Sequence, residues 1–154
     1  MPILPQNPLT ATPVPSLDWS REGTPASSEF DDIYFSTDGG LAETRSVFLG
    51  GCGLPETFAR IAQASPPEVF TVGELGFGSG LNFLAALDLW RSSGAGLDCA
   101  KRLHFVSIEA MPWSTQDLQR GLSYFPQLAK YADSLTAQWP GRVKGLHRLH
   151  FGNA

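Results

Sequence analysis

The chain has 154 residues, 42% of them hydrophobic, and a formal net charge of −4. The length fits a single domain, the hydrophobic content supports a buried core, and the net charge alone gives no reason to expect a nucleic-acid partner. No apolar run reaches the roughly 20 residues of a membrane span, and the N-terminus lacks the basic and apolar regions of a secretory signal. We therefore expect no membrane partner and a cytoplasmic location.

The distribution of charge is more informative than its sum. Residues 1–74 carry ten acidic residues against three arginines, whereas residues 75–154 carry five acidic residues against eight Lys and Arg. A mildly basic second half suits an anionic substrate that approaches one side of the protein.

The cysteines and histidines indicate no metal site. Cys52 and Cys99 are isolated thiols outside any C-x-x-C pattern, so they predict no disulfide framework either. The three histidines have no metal-ligand spacing, and His104, inside an apolar run, fits a buried core histidine better than a ligand.

The N-terminal part contains two regions of different character. Residues 1–17 include five prolines and few large hydrophobic residues, which predicts an extended or disordered tail, with the domain occupying residues 18–154. The stretch Phe30–Ser36 combines aromatic residues with two adjacent carboxylates and is compatible with a short strand or an ordered loop.

Two helices are predicted next. Leu41–Leu49 has apolar residues on one face and is followed by Gly50 and Gly51, which favour a helix end. Glu56–Ala64 follows Pro55, a residue that suits the first turn of a helix.

The central motif is a strand followed by three glycines and a helix. Val69–Leu75 is rich in β-branched and aromatic residues and predicts a buried strand. Gly76, Gly78 and Gly80 allow the backbone to turn sharply or a ligand to come close. Leu81–Trp90 then has the apolar spacing of a helix. This order is the one that receives a nucleotide at the carboxyl edge of a parallel sheet.

The second half of the chain predicts further elements of the same kind. Leu103–Ile108 reads as a strand with Glu109 at its carboxyl end, and helices are predicted from Ser114 to about Ser123 and from Pro126 to Gln138. The alternation in Val143–Phe151 favours a strand whose partner would lie beyond the end of the chain. The sequence therefore predicts a domain present only as its N-terminal half.

Two carboxylates narrow the choice of ligand. Glu74, two positions before the first glycine of the loop, would repel a pyrophosphate and attract an ammonium group. The dinucleotide fingerprint also requires a small residue where this chain has Leu81. The pattern E-x-G-x-G-x-G instead resembles the first motif of class I methyltransferases that use S-adenosylmethionine. Glu109, at the end of the next strand, is placed to accept hydrogen bonds from ribose hydroxyls. Asn82 and Ser79 fit either ligand donors or a helix cap.

Four blocks in order resemble a narrower group, the methyltransferase domain of the MnmC family. That family makes 5-methylaminomethyl-2-thiouridine at the wobble position of certain bacterial tRNAs. The similarity runs from about Trp19 to the end of the chain. The blocks are Phe30–Ser36, Gly40–Leu49, Gly73–Phe83 and Ser107–Glu109.

The resemblance implies a Rossmann-like α/β fold of the class I methyltransferase type and S-adenosylmethionine as cofactor. It implies N-methylation of the aminomethyl group on the wobble (thio)uridine of tRNA, which makes tRNA the partner. The implied cofactor-binding residues are Glu74, Gly76, Gly78, Gly80, Asn82, Glu109 and Tyr34. The implied residues of the substrate cleft are Asp31, Asp32 and Ser36.

The full-length proteins of this family also contain a C-terminal oxidoreductase domain that uses FAD, and an acidic block beside the methyl-transfer site. Neither lies in this sequence, so the catalytic residues are expected beyond its end and the chain alone is expected to be inactive. Two other interpretations stay open. One is the nucleotide-binding domain of a nicotinamide- or flavin-dependent oxidoreductase, and the other is a nucleotide-binding protein without catalytic activity.

Overall fold

The computed structural model describes residues 11–21, 24–30, 32–65, 67–140 and 142–152. Within them, the chain forms a mixed α/β structure with two small sheets. The first sheet is antiparallel and consists of β1 (Leu17–Arg21), β2 (Thr24–Ser27) and β3 (Asp32–Ile33). The ambiguous stretch after Phe30 is thus a two-residue strand followed by a loop.

Two helical segments precede the central strand. Helix α1 (Gly40–Glu43) continues as a π-helix over Thr44–Gly50, and α2 spans Leu54–Gln63. Both predicted helices are confirmed in position. The π-helical turns in the first were not predicted, since they are wider than α-helical turns and the apolar spacing gives no clear signal for the difference.

The central unit is a parallel strand–helix–strand arrangement. Strand β4 (Val69–Leu75) leads through the glycine loop into α3 (Leu81–Ser92), and the chain returns through a short 3₁₀ turn, Ala95–Leu97, to β5 (Arg102–Ile108). β4 and β5 pair in parallel without a register shift. A helical crossover is the connection that parallel neighbours require.

The last helices follow the predicted positions. Helix α4 (Thr115–Leu122) is capped by Ser114, whose Oγ accepts from the backbone N–H of Asp117 at 3.0 Å. A 3₁₀ turn (Pro126–Leu128) then leads into α5 (Ala129–Gln138).

Helix α3 lies at the centre of the core. Seven of its side chains are buried, so it is surrounded by other elements instead of exposing one face. Trp90 meets Phe58 of α2 edge to face at 5.0 Å, and Phe83 meets Phe105 of β5 in the same manner at 5.2 Å. Together these contacts fix the helix that starts at the glycine loop against both the strands and the preceding helix.

Three sequence predictions are corrected by the structure. Val143–Phe151 is not a strand, because the described residues provide no backbone ladder for it, although Leu149 and Phe151 pack against the core. His104 is exposed instead of buried in the core. The strand Val69–Leu75 is buried on one face only: Val72 is buried, whereas Leu75 is 86% exposed, because the described helices cover a single face of β4 and β5.

The first residues of the predicted tail, 1–10, lie outside the described part of the chain. Residues 11–16 form no regular element, but Thr12 is buried and exchanges two hydrogen bonds with Arg142. Among the helices that the structure describes, none combines the length and the hydrophobicity needed to cross a membrane.

Candidate functional site

The candidate site lies where β4 and β5 end side by side. The backbone N–H of Gly76 donates to the carbonyl oxygen of Ile108 at 2.8 Å, which brings the two strand ends level. Glu74 is paired with Ser107 in the register of the sheet. Because side chains alternate along a strand, Ser107 and Glu109 lie on the same face as Glu74.

Glu74 is buried and held by two side chains. Its Oε1 accepts from Nδ2 of Asn82 at 3.1 Å, and its Oε2 accepts from the hydroxyl of Ser107 at 2.8 Å. Burial raises the pKa of this carboxyl above its ordinary value, the two hydrogen bonds oppose that rise, and the charge of Glu109 adds to it. Asn82 thus contributes to the site by orienting Glu74.

Glu109 connects the glycine loop to the loop after β5. Its Oε2 accepts from the backbone N–H of Gly78 at 2.9 Å, and its Oε1 accepts from the backbone N–H of Met111 at 2.8 Å. Each carboxylate oxygen has a second lone pair, so both can still accept a hydrogen bond from a ligand hydroxyl. Hydrogen bonds to a carboxylate are stronger than those between neutral groups, and Glu109 therefore fixes the position of the glycine loop.

The glycine loop uses backbone conformations that other residues rarely adopt. Gly78 has a φ of 53°, and Gly80, which caps the N-terminus of α3, has a φ of 74°. A Cβ at Gly78 would lie 3.3 Å from Cδ1 of Tyr34, and a Cβ at Gly80 would lie 2.7 Å from the ring of Phe77. These glycines are required both by their dihedral angles and by the aromatic rings beside them.

Tyr34 covers the glycine loop from the side of the first sheet. Its ring contacts Gly78 and meets the ring of Trp113 edge to face at 4.8 Å. Burial raises the pKa of its hydroxyl, and the negative charge of Glu109 contributes in the same direction. Tyr34 is therefore a neutral phenol beside the loop at physiological pH.

The residues predicted for the substrate cleft are not brought to the loop by the contacts that the structure describes. Asp31 lies outside the described residues. Asp32 is exposed and accepts from the backbone N–H of Ile33, and the hydroxyl of Ser36 donates to the carbonyl of Asp38. Both hydrogen bonds stabilise the local turn.

A cavity of about 660 Å³ opens beside Glu109. Its wall on the sheet side is formed by alternate residues of β5, and aromatic rings and the stretch from Val143 to Phe151 form most of the remainder. The ring of Trp139 stacks on Phe77 of the glycine loop at 5.3 Å, which extends the apolar wall to the loop itself. A mostly apolar cavity with a few polar groups is typical of small-molecule sites.

The sequence analysis did not assign Ser107 or Trp139 to the candidate site. The period of two along β5 could have identified Ser107, because it places this hydroxyl on the face that ends at Glu109. Nothing in the sequence relates Trp139 to Phe77, since 62 positions separate them and only the tertiary fold brings them together.

The fold and the site together define a mixed α/β protein whose glycine loop and two carboxylates lie at the carboxyl edge of a parallel strand pair. Sequence comparison confirms the resemblance noted above. The chain is 47% identical over 135 residues to the tRNA 5-methylaminomethyl-2-thiouridine biosynthesis bifunctional protein MnmC of Aeromonas salmonicida. It is 49% identical over 141 residues to the protein of the same name from Caulobacter vibrioides.

These matches cover 88% and 92% of this chain, but only 20% and 22% of the two relatives. The MnmC protein of Hahella chejuensis matches in the same way, at 46% identity over 88% of the chain. The chain thus spans about a fifth of the length of the curated relatives that it matches. No protein-family model matches it.

Proposed function

We propose that this chain binds S-adenosylmethionine and serves the N-methylation of the aminomethyl group on the wobble (thio)uridine of tRNA, the step that gives 5-methylaminomethyl-2-thiouridine. The matched relatives are named for the synthesis of that nucleoside. The single observation that carries the proposal is the pair of carboxylates, Glu74 and Glu109, held on one face at the ends of paired strands and joined by the glycine loop.

The residues present fit this cofactor. The negative charges of Glu74 and Glu109 suit an ammonium group and ribose hydroxyls, and both carboxylates would be poorly matched to a pyrophosphate. At Gly76 nothing lies within 4 Å of the position of a Cβ, so the loop has open space where a ligand can approach its backbone. Glu109 would hold the ribose, and Glu74 would attract the ammonium group of the amino-acid end.

S-adenosylmethionine supplies an electrophilic methyl group on its sulfonium sulfur. For the chain, the main task is to hold the acceptor amine in line with that methyl group, because fixed orientation alone lowers such a barrier substantially. Tyr34 contributes a neutral phenol beside Gly78, where its O–H can donate a hydrogen bond without adding charge. The amine attacks in its neutral form, so its proton has to be lost to a base before the methyl group is transferred.

The proposal is tested first by titration calorimetry with two ligands. S-adenosylhomocysteine is expected to bind to the chain, and NAD is expected to give no heat of binding, because a nicotinamide dinucleotide requires its pyrophosphate beside the loop. Binding of NAD without S-adenosylhomocysteine would favour an oxidoreductase. The chain by itself is expected to transfer no tritiated methyl group to tRNA that carries 5-aminomethyl-2-thiouridine, and turnover by it would show that the catalytic groups lie within residues 1–154.

Glu74→Gln is expected to separate ligand binding from stability. Burial raises the pKa of Glu74 in the folded state above its ordinary value of 4.5. Below pH 4.5 the carboxyl is protonated in both the folded and the unfolded state, and it does not disfavour folding. As the pH rises through the folded-state pKa, the unfolded chain ionises more readily, and this stability is lost. The neutral glutamine avoids this loss, so the variant should melt at a higher temperature than the wild type at pH 8, with the difference shrinking towards pH 4. Its affinity for S-adenosylhomocysteine should fall about tenfold, as for a lost charge-assisted hydrogen bond.

The matched control for this prediction is Asp133→Asn, which removes an exposed carboxylate on α5. It should change neither the melting temperature nor the affinity appreciably. A Glu74→Gln variant that melts in parallel with the wild type across this pH range would show that the burial of Glu74 has no energetic consequence.

A further inference from the structure

The stretch Arg142–Phe151, named here the basic segment, forms one wall of the cavity beside Glu109. Val143, Lys144 and His147 line the same cavity as the sheet residues that end at Glu109. The basic segment and the candidate cofactor site therefore share one opening.

All formal charges of the basic segment are positive. It carries Arg142, Lys144 and Arg148, and no Asp or Glu occurs after Asp133. All three cations are exposed. The ion pairs found in the described part of the chain involve Arg45, Arg60 and Lys101 instead, so the charges of the basic segment are available to an external anion.

The backbone of the basic segment is held in place although it forms no strand. The side-chain amide of Gln138 donates to the carbonyl of His150 and accepts from its N–H, both at 2.8 Å. The ring of Phe151 meets Phe83 of α3 at 4.9 Å, and Arg142 exchanges hydrogen bonds with Thr12. A fixed backbone reduces the conformational entropy that the segment loses when it binds a partner.

We propose that the basic segment binds the phosphate backbone of the tRNA next to the methyl-transfer site, with Lys144 and Arg148 as its main phosphate contacts. The naming of tRNA rests on the proposed function, whereas the choice of a polyanion rests on the charges themselves. Phosphates attract Lys and Arg over several ångströms, and the acidic first half of the chain repels them, so an RNA is directed to this side. A nucleotide held there lies at the mouth of the cavity that contains Glu109.

The test compares two double variants of equal charge change in the 154-residue chain. Lys144→Gln with Arg148→Gln removes the proposed contacts and leaves Arg142, which also holds Thr12. Arg102→Gln with Lys130→Gln removes two exposed cations that do not line the cavity. The probe is a fluorescein-labelled transcript of a tRNA with a wobble uridine, and its dissociation constant is measured by anisotropy from 50 to 200 mM salt.

Loss of two phosphate contacts is expected to make the slope of log K for tRNA binding against log salt concentration shallower by about 1.4–1.8. Over this fourfold range of salt, the wild type should then lose about seven to twelve times more affinity than the Lys144/Arg148 variant. The Arg102/Lys130 variant should keep both the slope of the wild type and its affinity for S-adenosylhomocysteine.

Three results would overturn the inference: no binding of tRNA by the wild type, an unchanged slope in the Lys144/Arg148 variant, or an equal change in the Arg102/Lys130 variant. Failure of the proposed function gives a different result. In that case the wild type does not bind S-adenosylhomocysteine, while the slope difference between the two double variants persists.

Discussion

Gly80→Ala is expected to lower the free energy of unfolding by about 2–5 kcal/mol, because two costs add at this position. A left-handed backbone conformation costs a residue with a Cβ about 1–2 kcal/mol, and Gly80 has a φ of 74°. The new Cβ would also lie 2.7 Å from the ring of Phe77, and overpacking costs about 1–3 kcal/mol. Phe77 cannot move away freely, since it is stacked on Trp139. Urea unfolding followed by tryptophan fluorescence measures the change.

Gly76→Ala is the matched comparison for this prediction. Gly76 also has a positive φ, 83°, but a Cβ there would meet nothing within 4 Å. The substitution should therefore cost only the backbone strain, about 1–2 kcal/mol. Equal destabilisation by the two substitutions would show that the packing of Phe77 against Gly80 does not contribute.

Glu109→Ala is expected to weaken the binding of S-adenosylhomocysteine by about 1.5–3 kcal/mol, the range for hydrogen bonds to charged groups. The variant loses the acceptor that we propose for ribose hydroxyls, and it also releases the backbone N–H groups of Gly78 and Met111. The effect on affinity should therefore include a less ordered glycine loop. Titration calorimetry gives the affinity, and circular dichroism checks that the helices and strands persist.

Asp133→Ala is the control for a lost carboxylate outside the site, and we expect it to leave the affinity unchanged. An unchanged affinity in a folded Glu109→Ala variant would exclude Glu109 from ligand binding. A Glu109→Ala variant that also loses its helical signal would instead show that the two backbone hydrogen bonds are essential to the fold.

The central unit could be predicted from sequence because its signals are local. The strand Val69–Leu75 was predicted with the bounds that the structure shows, and the predicted helix from Leu81 ends two residues before the observed end at Ser92. Apolar residues at strand or helix spacing and glycines between them depend only on neighbouring residues. The acidic residue at the end of β5 follows from the same local pattern.

Features that depend on tertiary contacts could not be predicted. Gly78 and Glu109, 31 positions apart, become hydrogen-bond partners only when β4 and β5 pair. The alternation in Val143–Phe151 predicted a strand, but in the structure Leu149 and Phe151 pack against the core while Arg148 and His150 are exposed. An isolated stretch cannot reveal whether a neighbouring strand will complete its backbone ladder.

The carboxylate of Glu109 has a spectroscopic consequence. Its two oxygens accept from the amide protons of Gly78 and Met111, which belong to the glycine loop and to the loop after β5. Those two protons should exchange slowly with deuterated solvent, and their nuclear magnetic resonance frequencies should respond to any group that approaches the same oxygens. The amides of Gly78 and Met111 therefore form a pair of internal reporters, which allows occupancy at Glu109 to be followed residue by residue without attaching a label.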